Sequence, residues 1–218
     1  MTRTRRATVA MLLVGLAIFS SLYSTQAILP TLVHNMGLSS TEAAMTVSAA
    51  TGALALCVVP ASILSERFGR GRILLISAVS ATGVGLIVPL AQEGWQLIVV
   101  RGLQGALLSG APATAMAWLS EELDDKALPR AMGLYIAGTS VGGLTGRLIP
   151  TGLVEISTWR WALFGSALVS LAFAITSWLL LPTQRNFRPK SIHLKTESRA
   201  LLGHWANRDL ALLFLTAF

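Results

Sequence analysis

The sequence is poor in charged residues and has a single cysteine. Only 12% of its 218 residues are charged, whereas 53% are hydrophobic. A soluble domain of this length could not bury so much apolar surface, so we expect lipid to cover the excess. Because Cys57 is alone, an internal disulfide and a cysteine metal cluster are excluded.

The residue patterns of common enzyme sites are also absent from the sequence. It has no Ser/His/Asp set, no metal ligands at a useful spacing, and no glycine loop followed by Lys-Ser or Lys-Thr that would hold a phosphate. We therefore predict that the chain is not an enzyme and uses no cofactor or metal.

The sequence is rich in long apolar runs. An α-helix needs about 20 apolar residues to cross a hydrocarbon layer about 30 Å thick. We therefore predict an all-α membrane protein whose residues 1–181 form a bundle of six transmembrane helices. Residues 182–209 are predicted to be a basic cytoplasmic linker, and residues 210–218 the start of a seventh transmembrane helix. The six runs span residues 7–30, 43–64, 73–91, 95–119, 131–154 and 161–181.

Positive charge alternates between the gaps that separate these runs. Fourteen of the 17 Lys and Arg residues precede the first run or follow the second, fourth and sixth runs, whereas the opposite gaps contain only Arg160. The positive-inside rule then predicts a cytoplasmic amino terminus. The net charge of +7 could suggest nucleic acid, but the bases lie beside apolar runs. We therefore predict the lipid bilayer as a partner and no nucleic acid.

The gap between the second and third runs reads SILSERFGRGRIL. It resembles the signature loop of the major facilitator superfamily, G-x-L-(S/A)-D-R-x-G-R-(R/K)-(R/K), which joins the second and third helices on the cytoplasmic side. The resemblance implies an ion-pair latch in which Glu66 meets a helix end in the other half of a transporter and Arg70 pairs with Glu121 or Glu122. The alternative is a solvated basic loop. The motif positions are Ser62, Glu66, Arg67, Gly69, Arg70 and Arg72, with Ser62 and Glu66 in place of glycine and aspartate.

The fourth run reads RGLQGALLSGAPA, in which Arg101 and Gly105 resemble the R-x-x-x-G motif of proton-coupled exporters in this superfamily. An arginine inside a membrane helix is costly unless it faces water, a carboxylate or the bundle interior. The alternative is an arginine that extends to the membrane surface. Gln104 lies one turn inward from Arg101.

The fifth run carries Gly138, Gly142 and Gly146 at every fourth position, which predicts a flat stripe against which another helix packs closely. The stripe resembles the glycine-rich motif in the fifth helix of the exporters. Its role is either helix packing or gating. Arg147 follows Gly146 where the family often has proline.

Both membrane arginines lack an acidic partner in the runs, since all ten Asp and Glu residues lie in gaps or at run ends. Our hypothesis is that Arg101 and Arg147 face a cavity and meet an anionic substrate or a carboxylate from a second half. Tyr23, Gln26 and Gln104 are further candidates to line this substrate or proton pathway. The alternative for these three is an interhelical hydrogen bond.

The resemblance implies a secondary transporter of the bacterial inner membrane, similar to drug–proton antiporters and sugar-efflux exporters, in which two six-helix halves alternate access to a site between them. This chain would supply the first half. Its predicted partners are a small-molecule substrate, anionic if the arginines contact it, together with protons and a second six-helix half from a missing segment or another chain. The alternative is a truncated membrane fragment or an interaction scaffold that does not transport.

Overall fold

The computed structural model describes residues 2–187, which contain α-helices and short 3-10 turns and no strand. The all-α prediction is therefore confirmed. The predicted start of a seventh helix, 210–218, and most of the predicted linker, 182–209, lie outside the described residues. The described helices are α1 Arg3–Tyr23, α2 Leu29–Met36, α3 Ser40–Phe68, α4 Arg70–Gly85, α5 Gly94–Leu108, α6 Gly110–Glu122, α7 Leu128–Ile156 and α8 Trp159–Leu180.

Eight helices cover six apolar runs because two runs are divided. The turn Gln26–Ile28 separates α1 from α2 in the first run, and Ser109 separates α5 from α6 in the fourth. Within residues 2–187, four segments are long and apolar enough to cross a membrane. Of the other two predicted spans, the fourth is broken into helices of 15 and 13 residues, and α7 is less apolar because it is rich in glycine and contains Arg147. The four segments are Arg3–Met36, Ser40–Phe68, Arg70–Leu90 and Trp159–Leu180.

The helix boundaries follow from local sequence signals. At the start of α3, the Ser39 hydroxyl accepts a hydrogen bond from the Glu42 N–H while the Glu42 carboxylate accepts one from the Ser39 N–H, which together form a capping box. A single residue, Gly69, connects α3 to α4 with φ 101° and ψ 129°. This left-handed backbone favours glycine, which explains why the turn can be so short.

Small residues let α1 occupy the centre of the bundle. It packs mainly against α7 and α8, whereas α3 packs mainly against α5. The buried core around α1 includes Met11, Ile18 and Trp118. The outer surface is strongly apolar, and Leu56 on α3 is 80% exposed. Such a surface suits lipid or another protein rather than water.

One end of the bundle, which we call the base, carries the amino terminus, the α3–α4 turn and the carboxyl ends of α6 and α8. Side-chain hydrogen bonds connect these elements, including one from Arg3 to the Glu122 carbonyl and one from Arg6 to the Leu180 carbonyl. The opposite end carries the turn Gln26–Ile28 and the start of α8.

Candidate functional site

Arg147 lies on α7 beside the carboxyl end of α1, where it meets two other residues of the predicted pathway. Its Nε donates a hydrogen bond of 3.0 Å to the Gln26 side-chain oxygen, and its Nη1 donates one of 3.1 Å to the Gly143 carbonyl. The guanidinium stacks on the Tyr23 ring, with 4.3 Å between Cζ and the ring centroid. The structure therefore brings Arg147, Tyr23 and Gln26 into one cluster.

This cluster holds the guanidinium in place and leaves part of it available. Nε and Nη1 are occupied, and no acceptor for Nη2 is found within residues 2–187. Arg147 and Tyr23 are partly exposed and Gln26 is exposed, so a ligand can reach the cluster. A guanidinium fixed by stacking and hydrogen bonds loses little side-chain entropy when it binds a carboxylate or phosphate. The arrangement is chemically suited to an anion.

Arg101 occupies a different environment. It is 0% exposed, and each of its nitrogens donates to an oxygen of this chain. Nε donates to the Thr46 carbonyl, Nη1 to the Ser21 carbonyl and the Gln104 side chain, and Nη2 to the Leu22 carbonyl. Sequence analysis gave Arg101 a partner from outside the chain, whereas in the structure oxygens of this chain, chiefly backbone carbonyls at the end of α1, accept from all three of its nitrogens. A place for Arg101 in the substrate or proton pathway remains a prediction.

These acceptors explain why a buried cation is tolerated here. The last carbonyls of a helix have no intrahelical donor, and the carboxyl end of a helix favours positive charge. Because α1 ends at Tyr23 before the turn Gln26–Ile28, the Ser21 and Leu22 carbonyls are available to Arg101. The arginine thus joins α1, α3 and α5 at the break in the first segment.

Gln104 belongs to the same buried network. Its amide nitrogen donates to the Ser21 hydroxyl at 2.8 Å and to the Ala81 carbonyl at 3.2 Å. Gln104 therefore makes interhelical hydrogen bonds, the role that sequence analysis gave as the alternative to lining the pathway. Sequence analysis did not identify the buried serines beside it, although Ser166 and Ser170 share one face of α8 at an i, i+4 spacing. Both serines line a small polar cavity next to Gln104.

The glycine stripe of α7 packs directly on the backbone of α1. A Cβ atom at Gly138 would lie 2.5 Å from the Leu12 carbonyl oxygen, and one at Gly146 would lie 2.5 Å from the Ser20 carbonyl oxygen. At Gly142 the nearest atom would be the Gly15 carbonyl oxygen at 2.8 Å. On α5, Gly105 similarly has no room for a side chain because of the Ala50 carbonyl. The three glycines of α7 set the α1–α7 spacing that positions Arg147 beside Tyr23.

The residues of the loop motif lie at the base. Arg70 Nε is 2.6 Å from the Glu121 carboxylate, and Arg70 Nη2 is 3.7 Å from the Glu66 carboxylate. Of the two acidic candidates at the end of α6, Glu121 thus pairs with Arg70. The role of this ion pair as a latch between transporter halves remains a prediction. Ser62 is partly exposed, and Arg67 and Arg72 are exposed on either side of the Gly69 turn.

The chain has clear relatives among known transporters. Residues 11–218 match the model of the Major Facilitator Superfamily. The inner membrane transport protein YnfM of Escherichia coli K12 is 36% identical over 98% of this chain and 51% of its own length. The uncharacterized MFS-type transporter YybF of Bacillus subtilis 168 is 33% identical over 98% of this chain and 53% of its own length. A gallate transporter of Pseudomonas putida is 27% identical over 73% of this chain and 36% of its own length.

The chain therefore spans about half the length of the curated relatives that match nearly all of it. The match begins within α1 and continues through all the described helices. Its relatives are named as transporters, which agrees with the prediction that the chain is not an enzyme. The chain is a membrane-embedded member of the Major Facilitator Superfamily and corresponds to the N-terminal half of that fold.

Proposed function

We propose that this chain forms half of a secondary transporter that moves a small organic anion across the bacterial inner membrane by alternating access. The observation that carries the proposal is the Arg147 guanidinium, which is held by Gln26 and Tyr23 while Nη2 has no acceptor within residues 2–187. A carboxylate that accepts from Nη2 would gain a charge-assisted hydrogen bond without the cost of ordering a free arginine.

One relative supports a carboxylate as the anionic group. The gallate transporter shares 27% identity with the chain, and gallate is an aromatic carboxylate. The Tyr23 ring beside Arg147 adds an apolar surface for an aromatic or other planar ligand. Tyr23 and Gln26 thus have the proposed role of positioning Arg147, and Arg147 has the proposed role of binding the substrate.

Arg101 has a different proposed role because its nitrogens are already occupied by the chain. We assign Arg101 and Gln104 to the support of the pathway, since they hold the carboxyl end of α1 against α3 and α5. The glycine stripe serves the same purpose between α1 and α7. Gating by this interface is a further expectation of the proposal, because small residues permit helices to shift without side-chain collisions.

A second six-helix half completes the proposed transporter. The exposed apolar faces of α3 and α7, which carry Leu56 at 80% and Leu148 at 60% exposure, offer surfaces for that half or for lipid. The alternating positive charge of the gaps supports a base that faces the cytoplasm. There the Arg70 pair with Glu121 is proposed to act as part of a latch between the halves.

The resemblance to proton-coupled exporters favours export driven by a proton gradient. Inverted membrane vesicles from cells that express the gene test this, with gallate and related carboxylates measured with and without an imposed proton gradient. We expect carboxylate accumulation that requires the gradient. Absence of carboxylate flux in both inverted and right-side-out vesicles, with the protein present in the membrane, would reject the proposal.

Substitution of a second arginine, Arg160, provides the matched control for substitution of Arg147. Arg147→Ala removes the proposed substrate contact, whereas Arg160→Ala removes a cation that stacks on Trp159 and donates to the Pro89 carbonyl. A hydrogen bond to a charged group contributes about 1.5–3 kcal/mol, so Arg147→Ala is expected to raise KM roughly 10-fold to 100-fold. Arg160→Ala is expected to leave KM within about threefold of the parent value.

A further inference from the structure

Glu122 has an unusual environment for a surface glutamate. Its side chain is 0% exposed, and it lies at the last position of α6. One carboxylate oxygen accepts from Arg3. The other accepts from the backbone N–H of Arg185 at 2.7 Å and of Asn186 at 2.8 Å. Both oxygens of the Glu122 carboxylate therefore accept hydrogen bonds. Sequence analysis had considered Glu122 only as one of two possible partners of Arg70.

Arg3 and Arg6 lie on the inner face of the first turn of α1 and complete this arrangement. Besides Glu122, Arg3 donates to the Thr183 carbonyl at 3.0 Å, and Arg6 donates to the Leu179 and Leu180 carbonyls at 3.2 and 3.3 Å. Because α8 ends at Leu180, Arg6 satisfies carbonyls that have no intrahelical donor. Positive charge at a helix carboxyl end is also electrostatically favourable.

Topology alone does not account for these contacts. The positive-inside rule needs only positive charge near the start of the first segment, and Arg5 meets that need equally well. Arg5 is exposed and makes no side-chain hydrogen bond within the described residues. Arg3 and Arg6 lie three positions apart on one helix face. Arg3 reaches the chain that follows α8, and Arg6 reaches the last carbonyls of α8 itself. The difference indicates a specific structural role for two of the three arginines.

We propose that Arg3 and Glu122 form a clasp that fastens residues 183–186, the exit segment through which the chain leaves the helix bundle, to the base, while Arg6 holds the end of α8 beside it. The clasp sets the point from which the connection to any following segment begins. The clasp forms only when the amino terminus and the exit segment, residues 183–186, both lie against the carboxyl end of α6.

The exit segment also contacts the motif loop. The Gln184 side-chain oxygen accepts from the Gly71 N–H at 3.2 Å, and its amide nitrogen donates to the Glu121 carboxylate at 3.1 Å. Glu121 in turn pairs with Arg70. Residues 183–186 are therefore held by Glu122 on one side and by the α3–α4 turn on the other. A shift of the exit segment would act on the Arg70 ion pair through Gln184.

Electrostatics favours a charged Glu122. Burial acts to raise the pKa of the Glu122 carboxyl, but the hydrogen bonds from Arg3 and from the N–H groups of Asn186 and Arg185, together with the Arg3 charge, outweigh burial and lower it. The carboxylate therefore remains ionised at neutral pH and retains its full capacity to accept these hydrogen bonds.

Amide hydrogen exchange on residues 183–187 measures the clasp directly, because two of these N–H groups donate to Glu122. The chain is placed in lipid nanodiscs, and Arg3→Ala is compared with Arg5→Ala, which removes the same charge from the same turn. We expect exchange in this segment to accelerate at least tenfold in Arg3→Ala and to change less than twofold in Arg5→Ala. Equal exchange in the two variants would overturn the proposal.

Glu122→Ala and Glu121→Ala provide a second comparison. Exchange at Arg185 and Asn186 is expected to accelerate at least tenfold in Glu122→Ala, with the amides of the α1–α7 interface unchanged. Glu121→Ala is expected to affect these two backbone amides less, because Glu121 accepts only from side chains in this segment and its backbone carbonyl is retained. Protection at residues 185 and 186 that survives Glu122→Ala would also overturn the proposal. If Glu122→Ala instead unfolds the bundle, the arginine comparison decides.

Discussion

Gly146 and Gly152 on α7 provide a direct test of the α1–α7 interface. A Cβ atom at Gly146 would lie 2.5 Å from the Ser20 carbonyl oxygen and 2.8 Å from the Ser20 Cα, whereas a Cβ at Gly152 would meet nothing within 4 Å. Both glycines are in the interior of the same helix. Alanine at Gly152 is therefore expected to stabilise the chain by up to about 1 kcal/mol, the usual helix preference of alanine over glycine.

Alanine at Gly146 is expected to destabilise the chain despite the same helix preference. The obstacle is backbone, which cannot rotate away as a side chain could, so α1 and α7 must separate by about 1 Å to restore ordinary contact. Overpacking of this kind costs about 1–3 kcal/mol. Because both variants gain the same helix preference, they should differ by about 1–3 kcal/mol in unfolding free energy, the cost of overpacking.

Reversible unfolding in detergent, followed by circular dichroism, measures this difference. The parent chain, Gly146→Ala and Gly152→Ala are compared under one condition, and the order of stability is expected to be Gly152→Ala, parent, Gly146→Ala. A Gly146→Ala variant as stable as Gly152→Ala would show that α1 and α7 are not in backbone contact at this position. The positions of Tyr23 and Arg147 relative to each other would then be wrong as well.

Three further substitutions test separate features of the fold. Gly69→Ala places a Cβ on a residue with φ 101°, so we expect a loss of about 1–3 kcal/mol in unfolding free energy. Ser166 has a buried hydroxyl without a partner among the described residues, whereas the Ser170 hydroxyl bonds to Ser20 and to the Ser166 carbonyl. Ser166→Ala should therefore be neutral or slightly stabilising in thermal unfolding, and Ser170→Ala should cost about 1 kcal/mol. For Glu122, the folded-state pKa is lowered, so its contribution is present above the ordinary carboxyl range and is lost as pH falls through the lowered value. The stability difference between the parent and Glu122→Gln should be constant from about pH 8 to 6 and should shrink below about pH 4.3, the ordinary glutamate value. A difference that instead changes between pH 6 and 8 would contradict this assignment.

The sequence was sufficient for the helices because run length and apolar content determine whether a segment can form a buried or lipid-facing helix. It was not sufficient for their breaks. The turn Gln26–Ile28 and the break at Ser109 lie inside continuous apolar runs, each a few residues before a proline, Pro30 or Pro112. A break of this kind removes only one or two helical hydrogen bonds, and it does not change the pattern of apolar residues from which helices are predicted.

The two arginines show a similar limit at the site. Their positions in apolar runs and the absence of acidic residues there were visible in the sequence, and both led to the expectation of an outside partner. The acceptors of Arg101 are backbone carbonyls exposed by the end of α1, and backbone groups carry no sequence signal. The partners of Arg147 include the Gln26 and Tyr23 side chains, because the face of α7 that carries Arg147 lies beside them.

The choice between Glu121 and Glu122 also depended on three-dimensional structure. Consecutive helix residues point about 100° apart, so one glutamate faces Arg70 and the other faces Arg3. The sequence placed both at the correct helix end and in reach of basic residues. It could not determine the rotation of α6 about its axis, which decides the pairing.

Discrimination between a carboxylate and its neutral amide tests the proposed role of Arg147 most directly. Inhibition of transport by an aromatic carboxylate and by the corresponding carboxamide is measured in vesicles with the parent protein, Arg147→Ala and Arg147→Lys. The parent is expected to prefer the carboxylate roughly 10-fold to 100-fold. Arg147→Ala is expected to abolish this preference and Arg147→Lys to retain part of it. A preference for the carboxylate that is unchanged in Arg147→Ala would contradict the assignment of Arg147 as the anion contact.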